Sequence, residues 1–261
     1  MAGFFVIASR QTAIYRPPLH CAAVSLGRPV DIDMKALRFI ALLLAVGAAA
    51  YVYLRPADQR ALTELRDLPW QIELLPDGGS RVFGLELTRS TLDRARARFG
   101  DGMKLGVVAA SGETGSLEAY YDSVAAGAIL GRMILVVQAD AETLARLRAR
   151  SIDRMHMNAA TFRYVLGPED VQWALQRPIA AITFIPAADL DKETVITRFG
   201  EPAERVRTDA RIEHFLYPAR GLDLILDADG KEVLQYVAPR EFARLREPLR
   251  QSEIPVRSEA E

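Results

Sequence analysis

Few residues in this chain stand at spacings that do chemistry. Its three histidines, His20, His156 and His214, are far apart, and no HExxH, GxSxG or P-loop pattern occurs. The one cysteine, Cys21, allows neither an intrachain disulfide nor a thiolate zinc site. Ser111 to Ser116 (SGETGS) is glycine-rich, but it joins two strand patterns instead of opening a helix, so it does not form a phosphate cradle. Asp227-Ala-Asp-Gly230 sets two carboxylates beside a glycine, yet the third acidic ligand and the distal Glu of a calcium loop are missing, and the stretch reads as a turn. Glu169 and Asp170 follow Gly167-Pro168, where a helix start accounts for them through its dipole. The expectation is no catalytic residue, no metal and no cofactor.

The elements around these residues say more. Net charge is −1, from 33 basic and 34 acidic side chains spread along the chain, which excludes the charge balance of a nucleic-acid binder. From Met34 the sequence reads MKALRFIALLLAVGAAAYVYL, with the apolar run 36–54 broken only by Arg38. Nineteen residues (54 − 36 + 1) rising ~1.5 Å each make a helix about 28 Å long, a bilayer's hydrocarbon thickness. Lys35 and Arg38 lead the run and Tyr51 and Tyr53 close it, so residues 34–55 are expected to be an inner-membrane anchor or a signal peptide, with everything beyond on the periplasmic side. Residues 1–33 lack periodicity and are expected to be a disordered tail, or the product of a start assigned upstream of Met34.

Beyond the anchor the pattern repeats. Arg98-Phe99-Gly100 returns as Arg198-Phe199-Gly200 at a spacing of 100 (198 − 98), Gly131 as Gly230 at 99, and Ala145-Arg-Leu-Arg148 as Ala243-Arg-Leu-Arg246 at 98. Each Arg-Phe-Gly ends a short helical pattern, Thr91 to Phe99 or Asp191 to Phe199. The phenylalanines read as core anchors, the glycines as C-caps and the arginines as solvated helix ends. In the second copy Ile179 to Ile185 precedes the helix, and four short strands follow, within 204–208, 211–218, 222–227 and 232–237, with Asp227 to Gly230 turning the last hairpin. The first copy is expected to match: strand Ser80 to Thr88, the helix, strands Lys104 to Ala110 and Ser116 to Tyr121, and a hairpin 124–138 around Gly131. The expected fold class is α+β, two tandem helix-on-antiparallel-sheet repeats (70–150 and 178–247) flanking a helical connector (151–177), with a loose tail at 248–261.

The second copy, through Val195, Phe199-Gly200-Glu201-Pro202, Phe215, Tyr217, Leu224, Leu226 and Gly230, resembles the SmpA/OmlA-type small lipoproteins of the outer-membrane β-barrel assembly machinery. It resembles equally the tandem-domain β-lactamase inhibitor proteins of the same fold. The resemblance covers 191–237 and reaches the first copy only by way of the repeat; no lipobox cysteine accompanies it. It implies the fold and a family whose members bind proteins. In Arg211 to Tyr217 (RIEHFLY), strand alternation sets Arg211, Glu213, Phe215 and Tyr217 on one face, joined by Tyr236 across the hairpin. Aromatics mixed with charge are the composition of a protein-binding face, although the same residues could pack against the first repeat. The sequence therefore leads to a protein-binding or scaffold module of the bacterial envelope, of unassigned oligomeric state. The alternatives are a periplasmic hydrolase with carboxylates between the repeats and a small-ligand sensor.

Overall fold

The computed structural model describes residues 66–158 and 160–250. The apolar run 36–54 and the tail from 251 lie outside the described residues, among which no helix is long and apolar enough to cross a membrane. Three short strands come first: β1 (Glu73–Leu74), β2 (Ser80–Val82) and β3 (Leu85–Glu86). Helix α1 (Leu92–Phe99) follows, then β4 (Lys104–Ala110), β5 (Ser116–Ala126) and β6 (Ile129–Val137). Helix α2 (Ala141–Ala149), the hairpin β7 (Asp153–His156) and β8 (Thr161–Val165), and α3 (Pro168–Leu175) lead to β9 (Ile179–Pro186). The chain finishes with α4 (Lys192–Phe199), β10 (Glu204–Arg207), β11 (Ile212–Tyr217), β12 (Leu222–Asp227), β13 (Val233–Val237) and α5 (Ala243–Arg250).

The class is α+β. Ten strands pair antiparallel in one sheet of order β10-β11-β12-β13-β9-β6-β5-β4-β8-β7, and β1 to β3 form a small sheet of their own. Register rows define two faces, because directly opposed residues of antiparallel strands point the same way. One row runs Phe215, Leu224, Leu234, Phe184, Met133, Tyr121, and the next Tyr217, Leu222, Tyr236, Ile182, Leu135, Ala119. All twelve belong to the main core, which Leu92 and Ala95 of α1, Leu144 and Leu147 of α2, Leu175 of α3 and Val195 and Phe199 of α4 also enter. The helix-covered face is therefore almost wholly buried.

Helices α1 and α4 are built alike. Thr91 caps α1 by accepting from the Arg94 amide at 3.4 Å, and Asp191 caps α4 by accepting from Thr194 at 2.6 Å. Each ends at a glycine with positive φ, Gly100 (+90°) and Gly200 (+78°), whose amide donates at 2.8 Å to Arg96 O and Ile196 O. In the sheet beneath, Tyr121 donates to Gly100 O (3.3 Å) and Tyr217 to Gly200 O (2.9 Å).

Elsewhere the segments expected to repeat differ. Residues 80–88 do not form one strand; β2 and β3 turn back through Phe83-Gly84, both at positive φ (52° and 73°), which seats the Phe83 ring against Phe184 and Tyr236 with centroids 5.2 and 5.4 Å away. Residues 124–138 do not turn at Gly131. The hairpin turns at Gly127-Ala128, and Gly131 lies inside β6, where a Cβ would meet the Phe184 ring at 2.5 Å. Gly230 does lie in the β12–β13 turn, so the pair is not equivalent, and three strands follow α1 where four follow α4. The connector is no purely helical segment, since β7 and β8 extend the sheet beyond β4. The two Ala-Arg-Leu-Arg stretches part company as well: α2 enters the main core, whereas Leu245 and Leu249 of α5 pack with Phe242 on Val206, Leu216 and Val237, a small second core on the opposite face.

Candidate partner-binding face

The aromatics of the expected binding face are core. Phe215 and Tyr236 are 0% exposed and Tyr217 5%. Lys192 and Arg205 cover the Phe215 ring from 5.5 and 4.8 Å, and the Tyr236 hydroxyl donates to Pro69 O at 2.9 Å. Arg211 and Glu213 do reach the surface, where they are occupied in ion pairs with Asp229 (3.1 Å) and Lys192 (3.6 Å). The strand alternation is correct, but the face it singles out lies under α4.

The structural anchors hold unevenly. Phe199 is 1% exposed, edge-on to Trp70 and tilted against Tyr217, both at 6.2 Å. Phe99 is only partly buried, with Tyr121 at 5.9 Å and the Arg98 guanidinium over its ring. The two arginines are not mere solvated ends. Arg98 pairs with Asp67, and Arg198 stacks on Trp70 at 5.0 Å, so together they hold segment 67–70 across the helix-covered face.

The opposite face is the open one. Among the described residues only α5 packs on it, over β10, β11 and β13, with Arg246 making two hydrogen bonds, 2.9 and 2.5 Å, to the Glu204 carboxylate. Near it His214 and Asp223 are sealed together, Nδ1 lying 2.9 and 3.1 Å from the two carboxylate oxygens, at 7% and 2% exposure. Burial raises the Asp223 carboxyl above its usual range and the bond from His214 offsets part of that. A polar pair so enclosed satisfies itself and holds β11 to β12.

Beyond α5, one row of this face runs Gln235, Thr183, Ile134, Tyr120, Lys104, and its neighbour Val237, Ala181, Val136, Glu118, Gly106. Most of these side chains are partly exposed, the usual state of a sheet face that no helix covers. Tyr120 stands between two cations, Lys104 Nζ at 5.7 Å and the Arg163 guanidinium at 5.8 Å from its ring. Glu118 is half-sunk beside it; burial raises its carboxyl above the usual range, against the pull of the Ser116 hydroxyl and Arg163. From β6 to β7 the uncovered strip spans four strand spacings, roughly 19 Å at ~4.8 Å each, enough for a helix or a loop to lie along it. Nothing in the sequence had marked Tyr120; what could have is the alternation Glu118, Tyr120, Asp122 opposite Leu117, Ala119, Tyr121.

A cleft of about 760 Å³ opens at the end of the sheet, lined among others by Arg146, Trp173, Arg177 and Arg244. Among the described residues no group of three or more His, Cys, Asp and Glu side chains could hold a metal ion. No protein-family model, no curated protein and no solved structure matches the chain.

Proposed function

We propose that this chain is a protein-binding module of the bacterial envelope, tethered to the inner membrane through residues 36–54 with its α+β part in the periplasm, and that the open sheet face receives the partner. The observation that carries the reading is Tyr120, held between Lys104 and Arg163 on a strip of half-exposed Ile134, Val136 and Thr183. An aromatic flanked by cations and bordered by aliphatics is the composition of binding hot spots. The resemblance to envelope proteins that bind other proteins supports the same reading.

Its architecture is a tandem duplication that has drifted. Support comes from caps and C-cap glycines 100 residues apart (191 − 91, 200 − 100), and from the tyrosines that reach those glycines. Register agrees too, Lys104 opposing Tyr120 as Glu204 opposes Leu216. A second reading, small-ligand sensing, draws on the cleft at Trp173, where Arg177 stacks on the indole at 4.5 Å.

The test is a pair of variants of the full chain in gently solubilised membranes. Tyr120→Ala with Ile134→Asp should abolish a stoichiometric envelope partner while leaving the melting temperature nearly unchanged, and Trp173→Ala should keep the partner. Loss of the partner only with Trp173→Ala would turn the reading toward the cleft.

A further inference from the structure

We propose that the free edge of the sheet, β7, is a second docking site, which takes an extended segment of another protein as an added strand, its side chains alternating apolar and acidic. β7 is the outermost strand, all four of its residues are exposed, and it pairs regularly with β8 without proline or bulge. Natural proteins guard such edges. The other edge is guarded here: Val206 of β10 is 1% exposed and α5 clasps Glu204 through Arg246. On β7 and just beside it the large apolar side chains are instead bare, Met155 within the strand at 51% and Ile152 and Met157 flanking it at 68% and 48% exposure; only Leu74 and Leu130 are comparable among the described residues.

Charge selects the occupant. Two arginines lie on or beside this edge without an ion pair to any carboxylate among the described residues: Arg148 over Tyr164 (4.8 Å) and Arg154 over Phe162 (4.6 Å). The nearby Asp153 carboxylate is turned to the Arg154 amide at 2.7 Å. Register puts Asp153 and Met155 on the open face, opposite Val165 and Arg163, and Arg154 and His156 on the helix-covered face, opposite Tyr164 and Phe162. An added strand therefore meets Met155 on one side and Arg154 with His156 on the other, which suits apolar residues facing one way and carboxylates the other.

A second copy of this chain fits less well. Two β7 strands joined through a two-fold axis perpendicular to the sheet must oppose residues of one face, and the register that sets Asp153 opposite Met155 puts Arg154 against Arg154 of the other copy. Like charges directly opposed are destabilising.

This site is independent of the open-face reading, since main-chain pairing at β7 does not need Tyr120. The test uses the full chain in detergent with short synthetic peptides alternating valine and glutamate, a valine–lysine twin, and a valine–glutamate peptide interrupted by proline. Binding is read by fluorescence anisotropy and amide hydrogen exchange. The valine–glutamate peptide should bind about tenfold tighter than its lysine twin, protect amides within 152–157, and lose most of its affinity on the exposed change Met155→Lys. Arg154→Glu should abolish the preference, and Tyr120→Ala should leave it intact. Equal binding of both charge types, undiminished binding of the proline peptide, or protection away from 152–157 would overturn the proposal. So would a concentration-dependent dimer that Met155→Lys dissolves, because the edge would then belong to a second copy.

Discussion

Phe199→Ala is the sharpest probe of how the helix-covered face is held. The ring is 1% exposed, wedged between Trp70 and Tyr217 at 6.2 Å each, and its removal empties a site that the backbone of α4 and the sheet cannot close. Emptying a buried phenylalanine costs about 3–5 kcal/mol, and the loss of two aromatic neighbours argues for the upper half of that range. Phe99 ends α1 as Phe199 ends α4, but it is only partly buried and meets a single tyrosine, so Phe99→Ala should cost about half as much, roughly 2 kcal/mol. Urea unfolding followed by circular dichroism measures both, with the m-value unchanged if the native state is otherwise intact. For a unit of this size about 4 kcal/mol corresponds to roughly 8–16 °C in melting temperature. Equal losses for the two variants, or a loss below about 1.5 kcal/mol for Phe199→Ala, would refute the burial argument.

Other outcomes follow from the same geometry. Phe215→Ala with Tyr236→Ala should lower the melting temperature by many degrees, because both rings are core, and a nearly unchanged value would restore them to the surface. Burial pushes the Tyr217 phenol up to about 12, so the folded state keeps a proton that the unfolded state releases near pH ~10. Stability should accordingly fall as pH rises from about 10 to about 12, and Tyr217→Phe should soften that fall while costing about 1 kcal/mol at neutral pH for the lost bond to Gly200; an unchanged alkaline limb would contradict this. On the topology proposed for residues 36–54, alkaline phosphatase fused after residue 66 should be active and the protein should resist carbonate extraction. An inactive fusion would place the domain in the cytoplasm, and a shortened, carbonate-soluble product would mean cleavage.

What the sequence disclosed was local. Helix starts at Thr91 and Asp191 and stops at Gly100 and Gly200 depend on neighbours three or four residues away, so residue type alone identifies them. The Phe83-Gly84 turn escaped because a phenylalanine at positive φ is no turn signal, and it is tolerated only because its ring fills the core against Phe184 and Tyr236. Gly131 was mistaken for a turn because a glycine needed for close approach to Phe184 looks the same in sequence as one needed for a bend. Choosing the binding face failed for a related reason. β11 is buried on both sides, under α4 by Phe215 and under α5 by Leu216, and alternation separates two faces without saying which a helix will cover. The β7–β8 hairpin was obscured because Asp153 to His156 has no apolar periodicity, as befits a strand exposed on every residue.

The open sheet face is the surface proposed to meet the partner. A photo-crosslinking amino acid placed singly at Tyr120, Ile134 or Thr183 in living cells, with Phe215 and Arg198 as controls on the helix-covered side, tests it residue by residue. One common adduct is expected from the three open-face positions and none from the controls. An adduct confined to Arg198, or the same adduct from every position, would contradict it.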